Sequence, residues 1–328
     1  MYRLRFVPDK TSIPFMKGRI MGLAVSAILS FLSVILFFHP GLNYGLDFKG
    51  GILIEARTTT PIDFAQLRSA LGGLGFGEVG LQQFGSPQDV LVRLEEQPGG
   101  DPAQQAAANK IRQAIIGKYP GTEIRRAEAV GATVSGELFR NGMTAMGLAL
   151  IAMLAYIAFR FDWPFGVGAV ATLVLDVTKM IGFFVITDIQ FNLTAIAAIL
   201  TVMGFSINDK VVVYDRVREN LRKYKTMPLR QLIDLSINET LNRTVNTSVT
   251  TFLATMPLAI FAHGPIQDFA FVLLFGIVIA TSSSIFIAAP ILLFLGERRL
   301  RPGLSAAQAR GDGAKGEGEP KKPAVSTS

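Results

Sequence analysis

Six stretches of this chain run for about 20 residues with almost no charge, the length a helix needs to cross the hydrocarbon of a bilayer. They fall at 20–38, 143–159, 165–187, 189–215, 244–262 and 269–295. Residues 39–141 have a different rhythm. There, "NYGLDFKGGILIEAR" reads as a strand entered through a glycine turn, and "PIDFAQLRSALGGLG" as a short helix that opens near Pro61 and stops on glycines. "EVGLQQFG" and "QDVLVRLEE" alternate as half-buried strands, "DPAQQAAANKIRQAIIGKY" reads as a helix, and "TEIRRAEAVG" as a last strand. The order βαββαβ predicts a small α+β, ferredoxin-like sandwich. The expected fold is an α-helical membrane protein with six transmembrane helices and this one external domain.

Composition agrees with that class. Half of the 328 residues are hydrophobic, 17% are charged and the mean hydropathy is +0.40, too apolar for a water-soluble chain of this size. The basic residues cluster in short flanks. Arg3, Arg5, Lys10, Lys17 and Arg19 precede the first span, the segment 216–243 carries six further cations up to Arg230, and Arg298, Arg299 and Arg301 follow the last span. The turns at 188–190 and 263–268 carry none. The positive-inside rule then places both ends of the chain in the cytoplasm and 39–141 outside it. This asymmetry also accounts for the net charge of +7 without a nucleic-acid partner. With no cysteine, the external domain is held by its core and not by disulfides. The first span lacks a small-residue cleavage site and reads as a retained anchor behind a cytoplasmic segment 1–19. The tail 301–328 is Gly, Pro, Ala and charge, with nothing to bury, and is expected to be disordered.

Ionisable residues inside spans are costly and mark functional sites. The third span carries Thr172, Asp176 and Lys179 on one helical face, where the two charges either neutralise each other or serve transport. The fourth carries Asn208, Asp209 and Lys210, with Asn208 on the stripe of Gly204 and Asp215. Lys210 lies about 100° round the helix from Asp209 and so faces Asp176 or snorkels. The fifth opens on Arg243, in itself an ordinary interfacial arginine, and continues through Asn246, Thr247 and Thr250 on one face. Counted from Arg216, Asp209 lies about 10 Å inside the apolar zone. An acid at that depth, raised by desolvation and lowered by a cation, is suited to take up and release a proton.

Outside the spans there is no catalytic constellation. The G-x-S-x-G elbow is missing, the nucleotide-binding G-x-x-x-x-G-K-[ST] is missing, and the domain interior contains no histidine. Asp47 and Lys49 in "GLDFKGG" could form a catalytic pair, but their glycine framing favours a structural turn. No metal, cofactor or catalytic residue is expected, and no enzymatic activity.

"NYGLDFKGG", "VGATVSGEL", "GFSINDKVVVYDRVREN" and "TLNRTVNTSVTT" resemble the SecF family, the smaller membrane subunits of the bacterial SecD–SecF protein-export complex. That family in turn resembles one half of a resistance–nodulation–division transporter. The resemblance runs from about residue 8 to 300. It implies an inner-membrane subunit that uses proton flow to help pull unfolded preproteins across the membrane. The implied partners are SecD and the SecYEG channel, with YajC and YidC as further neighbours. It also implies that Asp209 is the proton-relay acid and Arg243 the arginine that accompanies it, with Asp176 and Asn208 nearby. Asp215, Arg216, Lys210, Lys179, Asn246 and Thr250 form the supporting polar network. Lys210 departs from the family pattern, in which a small hydroxyl residue is usual, as do Leu175 for a histidine and Ala132 for a proline.

Three other functions fit parts of the pattern. A small-molecule or lipid exporter of the same superfamily calls for twelve spans or a homodimer and a larger external cleft. An intramembrane aspartyl protease would use Tyr214-Asp215, but needs a Gly-x-Gly-Asp that the next span lacks. A static scaffold would neutralise every buried charge.

Overall fold

A computed structural model describes residues 8, 11–83 and 86–295. The expected disordered tail, and the basic flank at 298–301, lie outside the described residues.

Six helices are long and apolar enough to cross a membrane: α1 (Arg19–Phe38), α5 (Ala132–Arg160), α6 (Trp163–Thr187), α7 (Leu193–Lys223), α8 (Leu229–Phe261) and a last one, Pro265–Leu295. Between α1 and α5 lie a one-turn helix α2 (Leu46–Lys49), strand β1 (Gly51–Arg57), α3 (Phe64–Gly72), β2 (Val79–Gln83), β3 (Asp89–Leu94), α4 (Gly100–Lys118) and β4 (Glu123–Val130). The four strands form one sheet in the order β2-β3-β1-β4, with every neighbouring pair antiparallel. Ile52 and Ile54 of β1, and Val90, Val92 and Leu94 of β3, whose alternation was read in the sequence, turn inward against Leu67 and Leu71 of α3 and Ile111 and Ile115 of α4. Asp63 caps α3 by accepting from the Ala65 and Gln66 amides.

The paired glycines that precede β1 are a steric requirement. Gly50 and Gly51 have φ of 71° and 113°, and a Cβ on Gly51 would strike the Leu94 carbonyl. Asp47 Oδ2 accepts from the Leu193 amide at 3.0 Å, which ties α2 to the start of α7, and Lys49 is exposed. The two side chains form no ion pair with each other among the described residues. An aromatic cluster of Tyr44, Phe48, Phe139 and Phe191 completes the clamp between the sheet domain, α5 and the α6–α7 turn.

Two boundaries differ from the sequence reading. The helix expected at 143 begins at Ala132, directly after β4, because residues 132–142 are too polar to score as a span yet carry the Phe139 that packs on α2. The segment expected between spans at 216–243 is almost all helix, with only residues 224–228 outside α7 and α8. Glu239 accepts from Arg216 Nε at 2.7 Å and from Asn220 Nδ2 at 2.7 Å, which holds the two extensions together. The chain before α1 is strapped across α8, where the Met16 amide donates to Asp234 and the Ile13 amide to Asn238.

Helix α1 shows the packing logic of a lipid setting. Its buried residues are Ser26, Ser30 and Ser33, while Ile20, Phe31 and Phe38 are exposed. Small residues allow close approach to α6, where a Cβ on Gly182 would collide with Ser33, and the bulky residues face outward. Helices α6 and α7 form the centre, with Leu173, Met180, Phe184, Ile199 and Val202 buried.

Candidate functional site

Successive residues of a helix point about 100° apart. On α7 that sends Asn208 to the exposed surface and turns Asp209 and Lys210 inward, with exposures of 6% and 1%. Among the described residues of the six helices only four charged side chains are buried: Asp176 and Lys179 of α6, and Asp209 and Lys210 of α7. Two carboxylates therefore balance two ammonium groups.

The balance is unevenly distributed. Asp176 receives both cations, Lys210 Nζ at 2.9 Å on Oδ2 and Lys179 Nζ at 3.3 Å on Oδ1. Its Oδ2 also accepts from the Ser206 hydroxyl at 2.8 Å and the Ser283 hydroxyl at 2.7 Å. Lys210 in addition contacts Ser206 Oγ and donates to Ser283 Oγ at 3.3 Å. The Asp176–Lys179 pairing read from the sequence is formed, and Lys210 takes the Asp176 alternative over the snorkelling one. Asp209 has no ion pair among the described residues. It accepts the Ser284 hydroxyl at 2.5 Å and has the Thr244 hydroxyl of α8 beside it, while Lys210 and Arg243 act on it only through space.

Ser283 and Ser284 are consecutive, and each serves one acid. They sit where the last helix changes its winding: α9 (Pro265–Ser283) gives way to a π turn (Ser284–Ala288) before α10 (Ala289–Leu295). A π turn inserts a residue and leaves the ladder locally unpaired, a device found at functional positions. The Tyr214 hydroxyl of α7 donates to the Ala288 carbonyl at 3.1 Å, and its ring is buried against Phe161 and Phe165. The tyrosine of the "VVVYDR" motif thus supports the π turn.

The other expected site residues lie elsewhere. Arg243 was expected beside Asp209, but it is exposed and forms no ion pair with it, because Thr244 and Ser248 occupy the buried face of α8 and position 243 is turned off that face. Asn246 Nδ2 donates to Asn242, and the Thr247 and Thr250 hydroxyls donate to carbonyls of their own helix. Asp215 pairs with Arg160 at 2.7 Å, and Arg216 with Glu219 and Glu239, both outside the buried cluster. Sequence reading missed Ser206, Ser283 and Ser284. Hydroxyls in apolar helices commonly bond their own i−4 carbonyl, so only the run "TSSS" in an otherwise apolar span, and a serine one turn before Lys210, hinted at them.

The family model described as protein export membrane protein SecD/SecF, C-terminal, matches residues 110–298, and the SecD/SecF GG motif matches residues 35–62, around the paired glycines. The chain belongs to the SecD/SecF protein-export family. It is 44% identical over 293 residues to the protein translocase subunit SecF of Magnetococcus marinus, covering 88% of this chain and 94% of that one. Against the SecF of Rickettsia typhi it is 42% identical over 302 residues, covering 91% and 97%. The SecDF of Brucella abortus is 42% identical over 295 residues, but there the match spans 90% of this chain and 38% of the longer relative. The crystal structure of SecDF from Thermus thermophilus, described as a translocon-associated membrane protein, superposes with a TM-score of 0.76 at 32% identity over 88% of this chain and 39% of that one.

Proposed function

We propose that this chain is a SecF-type subunit of a Sec protein translocase, and that proton flow through its membrane helices assists the export of unfolded preproteins. Relatives named as SecF and SecDF translocase subunits support the export role. One observation carries the mechanism: of the two acids buried in the membrane helices among the described residues, Asp176 is fully paired and Asp209 is not. A proton carrier must lie at membrane depth and be free of a permanent counter-ion, since a carboxylate locked to two ammonium groups has no reason to accept a proton. Each proton crossing 100 mV supplies about 2.3 kcal/mol. The proposed role is non-enzymatic.

The site is half of what such a device needs. Asn208 and Arg243 face outward, a costly arrangement against lipid, so a second helical unit covering that face would shelter them and bring charge toward Asp209. The chain spans only 38% and 39% of the SecDF relatives, and the remainder of those chains is the natural model for a SecD-type partner. SecYEG, YajC, YidC and the preprotein are further proposed contacts, and nucleic acid is not. The basic flanks support an inner-membrane setting with both ends cytoplasmic and the sheet domain periplasmic. The antiparallel order β2-β3-β1-β4 supports the ferredoxin-like reading of that domain.

The test is reconstitution with the SecD-type partner and the channel under an imposed proton gradient. Asp209→Asn keeps the shape and an acceptor but cannot titrate. It is expected to leave assembly intact and to abolish the gradient-dependent stimulation of export, with Asp209→Glu retaining part of it. Normal stimulation in Asp209→Asn overturns the relay.

A further inference from the structure

At the opposite end of the bundle from the sheet domain, α5 and α7 build a feature that the proposed ion path does not use. Arg160, Asp215, Arg218, Glu219, Arg222 and Lys223 line an open cleft of about 510 Å³. Four cations face two carboxylates, and both carboxylates are already engaged. Asp215 accepts from Arg160 Nη2 at 2.8 and 2.7 Å, and Glu219 accepts from Arg216. Arg218 leans on Asp162 at 3.7 Å. Arg222 is exposed with no ion pair among the described residues, and Lys223 Nζ lies 5.0 Å from the centroid of the Tyr224 ring. The cleft therefore holds two cations in excess, and neither makes a close ion pair among the described residues.

What adjoins the cleft narrows the ligand. Phe159, next to Arg160, is 93% exposed, and Trp163, which opens α6, is 56% exposed. Exposed aromatics at the ends of spanning helices mark the level where headgroups meet hydrocarbon. A soluble anion would meet only the charged wall. A molecule with an anionic phosphate and acyl chains would meet both surfaces, with the phosphate beside Arg222, Lys223 and Arg218 and the chains along Phe159 and Trp163. Guanidinium groups suit phosphate oxygens by geometry as well as charge, and basic pockets between membrane helices take anionic headgroups.

We propose that this cleft is a binding site for the phosphate headgroup of an anionic phospholipid of the surrounding leaflet. It differs from the diffuse attraction of a basic flank in being saturable and confined to named residues. Lys225 and Arg230, exposed at the same end but outside the cleft, supply the comparison.

Native mass spectrometry of the purified full chain, titrated with phosphatidylglycerol, phosphatidylcholine or inorganic phosphate, tests it. One phosphatidylglycerol per chain is expected to be retained in preference to phosphatidylcholine. The double variant R222Q/K223Q is expected to weaken that binding about tenfold or more, while K225Q/R230Q stays within about twofold. All four positions are exposed, and an unfolding curve that matches the parent's checks that each variant keeps the fold. Equal retention of phosphatidylcholine, an equal effect of K225Q/R230Q, or displacement of the lipid by millimolar inorganic phosphate each overturns the proposal.

Discussion

Replacing each buried aspartate by asparagine separates a counter-ion from a carrier. Asp176→Asn strands Lys179 and Lys210, which are 5% and 1% exposed and have no other carboxylate in contact. Removing one partner of a buried ion pair costs about 3–5 kcal/mol, because the charge left behind stays desolvated. The asparagine oxygen can still accept from Ser206 and Ser283, but the amide NH2 that replaces Oδ1 cannot accept from Lys179, so charge and one hydrogen bond are lost together. Asp209→Asn removes no ion pair and keeps an acceptor for Ser284, so its cost stays below about 1 kcal/mol, the scale of a single hydrogen bond between membrane helices. The readout is unfolding of the purified chain by sodium dodecyl sulfate in mixed micelles, followed through Trp163, the single tryptophan. A gap of at least about 2 kcal/mol between the variants is expected. Lys210→Met added to Asp176→Asn should recover part of the loss, since it removes one of the two stranded charges. Equal destabilisation by the two asparagines, or a larger effect at Asp209, would refute this division of roles.

Three further outcomes can be checked. Ser284→Ala takes away the hydroxyl that Asp209 accepts, so gradient-driven export should fall about tenfold, while Ser284→Thr keeps a hydroxyl and most of the activity; export assays on the reconstituted complex decide it. In the sheet domain, the Arg57 guanidinium and the Ser86 hydroxyl hold the Asp89 carboxyl well below the usual range despite its burial. A depressed folded value gives stability that is present above the unfolded value near pH 4 and lost as pH falls through the folded one. Asp89→Asn should therefore be less stable than the parent at pH 7, and the gap should narrow in unfolding curves recorded below about pH 4. Finally, a Cβ on Gly276 of α9 would collide with Val202 of α7, whereas one on Gly204 meets nothing within 4 Å. Gly276→Val should cost about 1–3 kcal/mol by overpacking and Gly204→Val under about 0.5 kcal/mol, measured in the same unfolding assay.

Legibility followed the range of the forces involved. Span length, basic flanks, the glycine pair before β1 and the alternation of β2 and β3 are local properties of consecutive residues, and all are plain in the sequence. The rotation of 100° per residue also turned Lys210 away from Asp209, but left it either facing Asp176 or snorkelling. The start of α5 was not plain, since Ala132 to Gly142 owe their helical form partly to Phe139 docking on α2 and not to apolarity. Nor were the long extensions of α7 and α8, which are held by Arg216, Asn220 and Glu239 across the pair.

By itself, then, the sequence determined that six helices are long and apolar enough to cross a membrane, that a βαββαβ domain lies between the first two, and that Asp176, Lys179, Asp209 and Lys210 belong to those helices. Only the tertiary structure decided which charges meet. Both lysines went to Asp176, Arg243 stayed outside, and Asp209 was left with a serine from a π turn more than 70 residues away. A helix fixes the azimuth of each side chain, but the partner at that azimuth belongs to another helix. Which helix stands there follows from the close approaches that Gly182 and Gly276 permit, and these depend on the packed bundle as a whole.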